Sequence, residues 1–126
     1  MPGVPAFILR RLYVKGSLRN TPEGWKFTLR NTLGSGYVKG LLPLKVDDSL
    51  EIPMEHTSFE MEGSHTSFDE VNENNTFGLQ MNKAIDVNIT GDHLPTGNRT
   101  VYFGAIVPGI GRIGFDFSDE IIAETS

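Results

Sequence analysis

Hydrophobic and polar residues alternate one by one over much of this chain. Trp25, Phe27 and Leu29 fall to one side of a segment, with Lys26, Thr28 and Arg30 to the other. Ile85, Val87 and Ile89 alternate in the same way against Asp86, Asn88 and Thr90. Phe77, Leu79 and Met81 repeat at every second position, as do Ile113, Phe115 and Phe117. This is the period of a strand with one face in a core and one in water. Further strands are expected over 7–18, with Leu12, Val14, Gly16 and Leu18 on one face, and over 37–46, with Val38, Leu42, Leu44 and Val46 together. Gly16 predicts a bulge or a close backbone approach, and Pro43, lacking its N–H, an edge or a bend. Shorter strands are expected over 50–54 and around Phe59 and Met61, and a longer one over 99–107.

Turn chemistry separates these segments. Thr21-Pro22-Glu23-Gly24 offers a preset negative φ and a permitted positive one, between two copies of a Leu-Arg-Asn-Thr phrase beginning at Leu18 and Leu29. Gly34-Ser35-Gly36, Asp47-Asp48-Ser49, the 92–98 loop and Pro108-Gly109-Ile110-Gly111 punctuate the rest. Only 67–73 suits a helical turn, with Ser67 and Glu70 spaced as a capping box. Strands without helical crossovers imply antiparallel pairing. The pattern therefore predicts an all-β, antiparallel two-sheet sandwich, immunoglobulin-like or jelly-roll-like, with at most one short helical turn. It occupies a single domain over 1–126, with loosely ordered ends at 1–5 and 118–126.

At 126 residues the chain can bury one core without staples. It has no cysteine, which excludes disulfides, thiolate metal sites and cysteine nucleophiles. With no apolar leader or spanning stretch, a cytoplasmic protein without a membrane is expected, and the sequons at Asn74, Asn88 and Asn98 read as chance matches. The net charge is −5 with no dense basic run, so nucleic acid is not an expected partner.

Candidate chemistry is sparse. His56-Thr-Ser-Phe-Glu60 and His65-Thr-Ser-Phe-Asp69 form a doublet, and on paired strands His56 and His65 could share a face with Glu55 or Asp69. Imidazole with carboxylate is a plausible metal set, but a Gly63-Ser64 turn explains the doublet as a hairpin. They are the weak candidates for a metal site that is not otherwise expected. Gly109-Ile-Gly-Arg-Ile-Gly114 has dinucleotide-binding spacing but runs into a strand, where that motif requires a helix. No cofactor is expected, and without a Gly-x-Ser-x-Gly elbow no catalytic residue is singled out. What remains is a set of basic and aromatic residues on outward faces, Lys15, Arg19, Arg30, Tyr37 and Lys39. Residues of this kind favour a protein partner surface.

Gly16-Ser-Leu-Arg-Asn20 with Gly24-Trp-Lys-Phe27, Leu44-Lys-Val-Asp47, Phe59-Glu-Met-Glu-Gly63 and Leu94-Pro-Thr-Gly97 resemble the small β subunits of bacterial C-glycoside deglycosidases. That resemblance implies a β-sandwich without catalysis of its own, an accessory subunit partnering a metal-dependent barrel subunit that cleaves 3-oxo C-glycosides. Two other readings stand beside it. One is a carbohydrate- or glycoside-binding module with Trp25, Tyr37 and Tyr102 as stacking faces, or a homo-oligomer of other function. The second is a small metal-dependent enzyme built on the histidine doublet.

Overall fold

The computed structural model describes residues 5–122. Among them are β1 (Arg19–Thr21), β2 (Gly24–Arg30), β3 (Gly36–Val38), β4 (Gly40–Leu41), β5 (Lys45–Val46) and β6 (Leu50–Glu51). They are followed by β7 (Thr57–Met61), β8 (Ser64–Ser67), β9 (Phe77–Leu79), β10 (Ala84–Thr90), β11 (Gly97–Val107) and β12 (Gly111–Ile121). One sheet runs β1-β2-β10-β7-β8. The other runs β12-β11-β5-β6, with β4 also on β11, and β3 and β9 form a separate two-stranded ribbon. The pairings between these strands are antiparallel. The expected all-β antiparallel sandwich is what the structure shows.

The alternation sets the register. Trp25, Phe27 and Leu29 of β2 lie opposite Ile89, Val87 and Ile85 of β10, and all six are buried. In the second sheet Val101, Phe103 and Ala105 face the same interior, opposite Phe117, Phe115 and Ile113. A one-residue slip in either pair would turn the whole apolar set to water. The rings then join across the core in one continuous path. Trp25 leads through Phe27, Phe117, Phe115, Phe103, Phe68 and Phe59 to Phe77, with successive centroids 4.4 to 6.3 Å apart. Offset and tilted contacts of this kind add about 0.5–1.5 kcal/mol each beyond burial.

Four expectations need correction. Segment 7–18 is not a strand: a helical turn, α1 (Ala6–Leu9), passes into a 3₁₀ turn at Arg10–Leu12. Leu9 and Leu12 share the inward side at helical spacing, which the alternation from Leu12 onward conceals. Tyr13 and Val14 run beside β2, through a bridge to Leu29 and a bond from the Val14 amide to the Thr28 carbonyl, and the Ser17 hydroxyl accepts from the Thr28 amide at 3.0 Å. Segment 37–46 breaks into β3, β4 and β5, with Pro43 outside any strand and Leu41, Leu44 and Val46 buried. The return strand near 50–54 shortens to two residues and turns into a 3₁₀ turn at Met54–His56. The C-terminal end is strand further than expected: Ser118 to Ile121 pair with Gly97 to Thr100, and Ile121 is buried. Residues 1–4 and 123–126 lie outside the described residues. The capped turn stands as expected, at Phe68–Glu70, where the Glu70 carboxylate accepts from the Ser67 amide at 2.9 Å.

Two glycines are required by close approach. A Cβ on Gly24 would overlap the Ile89 carbonyl across the β2–β10 pair. One on Gly114 would overlap the Tyr102 ring, which lies over Gly104 and Gly114 on the outer face of the second sheet. The Gly109–Gly114 spacing is thereby accounted for by a turn and by room for an aromatic ring.

Candidate functional site beneath the β3–β9 ribbon

The sandwich is open at one end, and the β3–β9 ribbon spans the opening. Beneath it lies an apolar cavity of about 280 Å³. Leu29, Ile85 and Phe59 line it from the first sheet, and Leu41, Phe103, Ala105 and Ile113 from the second. Leu9 and Leu12 close a third side, and Val38, Phe77 and Leu79 of the ribbon form the roof. Leu33, Tyr37 and Ile110 stand at the mouth, 38%, 51% and 39% exposed. Large apolar side chains gathered round one opening differ from the scattered exposed residues of any surface.

Asn31 holds the ribbon in place. Its amide nitrogen donates to the carbonyls of Gly34 (2.6 Å) and Leu79 (2.9 Å), while its side-chain oxygen accepts from the amides of Leu33 and Gly34, each at 3.2 Å. Its own backbone is also used, donating to Lys83 and accepting from Asn82. The residue is 7% exposed, so these partners stand in for water. At the other end of β2, Asn20 does the same to the 92–96 loop. Its amide donates to the Leu94 carbonyl at 3.0 Å and its side-chain oxygen accepts from the Leu94 amide at 2.8 Å. The repeated Leu-Arg-Asn-Thr phrase thus places one loop-clamping asparagine at each end of the central hairpin. Neither was singled out from the sequence, and the signal available was that repeat.

The other side of the sandwich is shut by Tyr13. Its ring stacks on Phe117 at 3.8 Å and its hydroxyl donates to Asp119 at 2.7 Å. Burial is the main reason its pKa is pushed up to about 12, with the bond to Asp119 adding to it. Burial acts to raise the Asp119 carboxyl as well, but bonds from Tyr13 and from the amides of Gly16 and Glu120 outweigh it, together with the nearby Lys15 charge. The net shift is downward. Asp47 is also held below its usual range, by the Thr100 amide and by Arg99 at 2.9 Å.

The five candidate surface residues do not form one patch. Arg30 and Tyr37 line the cavity mouth. Lys39, next along from β3, reaches Glu73 at 3.7 Å. Lys15 lies beside Asp119, and Arg19 is on β1 opposite Lys26, far along β2 from Arg30. The histidines also separate. β7 and β8 pair as a hairpin with Glu60 opposite His65, whose imidazole is 3.7 Å from that carboxylate. His56 ends the preceding 3₁₀ turn and meets Thr90. Among the described residues no three His, Cys, Asp or Glu side chains come together as a metal set. Of the expected stacking aromatics, Trp25 is buried in the core and Tyr102 covers the two glycines, which leaves Tyr37 alone in the open.

The family profile described as Hydroxymethylglutaryl-CoA reductase, N-terminal domain, matches residues 8–122. The chain belongs to that family. The match spans every strand of both sheets and the ribbon. It overturns the resemblance to C-glycoside deglycosidase β subunits, and with it the accessory-subunit function, and it lends no support to the glycoside-binding alternative. The physical reason is visible in the residues that carried the resemblance. Gly24 is needed for backbone approach, Trp25 and Phe27 fill the core, and Asn20 clamps a loop. Positions fixed by folding do not discriminate between functions. Comparison with curated proteins gives no significant match. No helix among the described residues is long and apolar enough to cross a membrane.

Proposed function

We propose that this chain is an association domain of the hydroxymethylglutaryl-CoA reductase family, which docks on the remainder of such an enzyme and carries out no chemistry itself. The family match over 8–122 carries the reading. The open end of the sandwich supports it: Leu33, Tyr37 and Ile110 are large, exposed and adjacent, with Arg30 beside them. An apolar centre with a Tyr and an Arg has the composition of an interface anchor. Lys39 extends the same edge, whereas Lys15 and Arg19 belong to a separate surface.

Co-expression with a hydroxymethylglutaryl-CoA reductase catalytic portion, followed by size-exclusion chromatography, tests this. A stable co-eluting complex is expected, weakened at least tenfold by Tyr37→Glu with Ile110→Glu. Separate elution of the two wild-type proteins at micromolar concentration would refute the reading.

A further inference from the structure

We propose that the cavity beneath the ribbon is a binding site for a medium-chain amphiphile, its hydrocarbon tail inside and a single anionic head at Arg30. This goes beyond the association reading and does not depend on it.

At about 280 Å³ the cavity is nearly twice the ~150 Å³ of an engineered apolar cavity that stays dry and takes up benzene, which corresponds to room for roughly ten carbon atoms. The cavity opens to solvent at its mouth and reaches inward to Phe59 and Phe103, which belong to the aromatic path through the core. Its lining is almost entirely apolar. The polar side chains lining it are Arg30, Asn31, Ser35 and, at the mouth, Tyr37. The Asn31 amide is fully engaged, and the Ser35 hydroxyl oxygen accepts from the Met81 amide at 2.9 Å.

Arg30 is the one charged residue that lines the cavity. It is exposed at the mouth, and among the described residues it takes part in none of the ion pairs. A cation at the entrance of an apolar cavity matches a carboxylate at the end of an aliphatic chain. The glycines at Gly34 and Gly36, with open space at both, leave the entrance uncrowded beside Leu33 and Tyr37.

Isothermal titration calorimetry of the full chain with hexanoate, octanoate, decanoate and decanol tests the proposal. Affinity should rise about fourfold per methylene, the equivalent of ~0.8 kcal/mol each, and level off when the chain outgrows the cavity. Arg30→Gln should weaken decanoate about three- to fivefold and leave decanol unchanged, the effect of a solvent-exposed charge pair. Ala105→Leu, which fills the cavity from a buried position, should weaken both ligands tenfold or more while a thermal melt shows the chain still folded. No heat from decanoate or decanol at millimolar concentration would overturn the proposal. So would affinity independent of chain length, or undiminished binding by a folded Ala105→Leu variant.

Discussion

Replacing Asn31 by Ala removes the clamp on the β3–β9 ribbon while leaving the sheets intact, and its cost can be worked out from the four bonds. A neutral hydrogen bond contributes about 0.5–1.5 kcal/mol net, and more when a buried partner is left without one. The partners at Leu33 and Gly34 are exposed residues and can turn to water, so their three bonds count at the lower end. The Leu79 carbonyl lies in the half-buried ribbon and loses its bond outright. The sum is about 2–3 kcal/mol, and a chain of this size melts roughly 6–15 °C lower for such a loss. Urea denaturation gives the first number. Amide hydrogen exchange locates the effect, with faster exchange expected at Gly34, in β9 and at Met81. Asn20→Ala is the matched control, because it cuts two bonds at the opposite end of β2. It should destabilise by about 1–2 kcal/mol and leave ribbon exchange unchanged. If Asn31→Ala changes stability by less than ~0.5 kcal/mol, the size of an ordinary surface substitution, with ribbon exchange as in wild type, the clamp reasoning is wrong.

Other outcomes follow from the same structure. Asp119 and Asp47 have depressed pKa values in the fold, so their stabilisation is complete above the usual carboxylate range of about 3.9 and is lost as pH falls through the folded values. Asp119→Asn should flatten the acid limb of a stability-versus-pH curve, and an unchanged limb would count against the Tyr13–Asp119 contact. Tyr13 is raised to about 12, so its contribution is whole below an unfolded value near 10 and disappears between there and about 12. Tyr13→Phe keeps the stack on Phe117 and should remove that alkaline loss. Gly114→Ala should cost about 1–3 kcal/mol through overlap with Tyr102. Tyr102→Ala in the same chain should relieve it, as read by a double-mutant cycle. Gly24→Ala meets the Ile89 backbone, and no side-chain change should rescue it.

The strands that could be read from sequence are those with one face buried along their full length. β2, β10, β11 and β12 alternate because each packs a regular row of side chains into the same core. The misread segments bury residues for another reason. Leu9 and Leu12 point inward from helical turns, and Leu41 is buried although it lies across the expected face, because a bend at Lys39 breaks the segment and sets Leu41 opposite Ala105. At the site, Arg30 and Tyr37 were visible as outward residues. Their meeting at one opening depends on the ribbon pairing of β3 with β9, which joins segments some forty positions apart. Asn31 left only the trace of the repeated phrase, since its role depends on carbonyls supplied by Gly34 and Leu79. The cavity itself has no sequence signature, because its lining residues are the same types that fill a solid core.

The central claim is that this domain works by docking through its ribbon-capped end. Hydrogen exchange on the full chain, free and mixed with a hydroxymethylglutaryl-CoA reductase catalytic portion, measures it most directly. Protection is predicted at Leu33, Tyr37 and Ile110, with the β1 edge around Arg19 unaffected. Protection confined to the β1 edge, or no change anywhere under conditions where the two proteins co-elute, would contradict it.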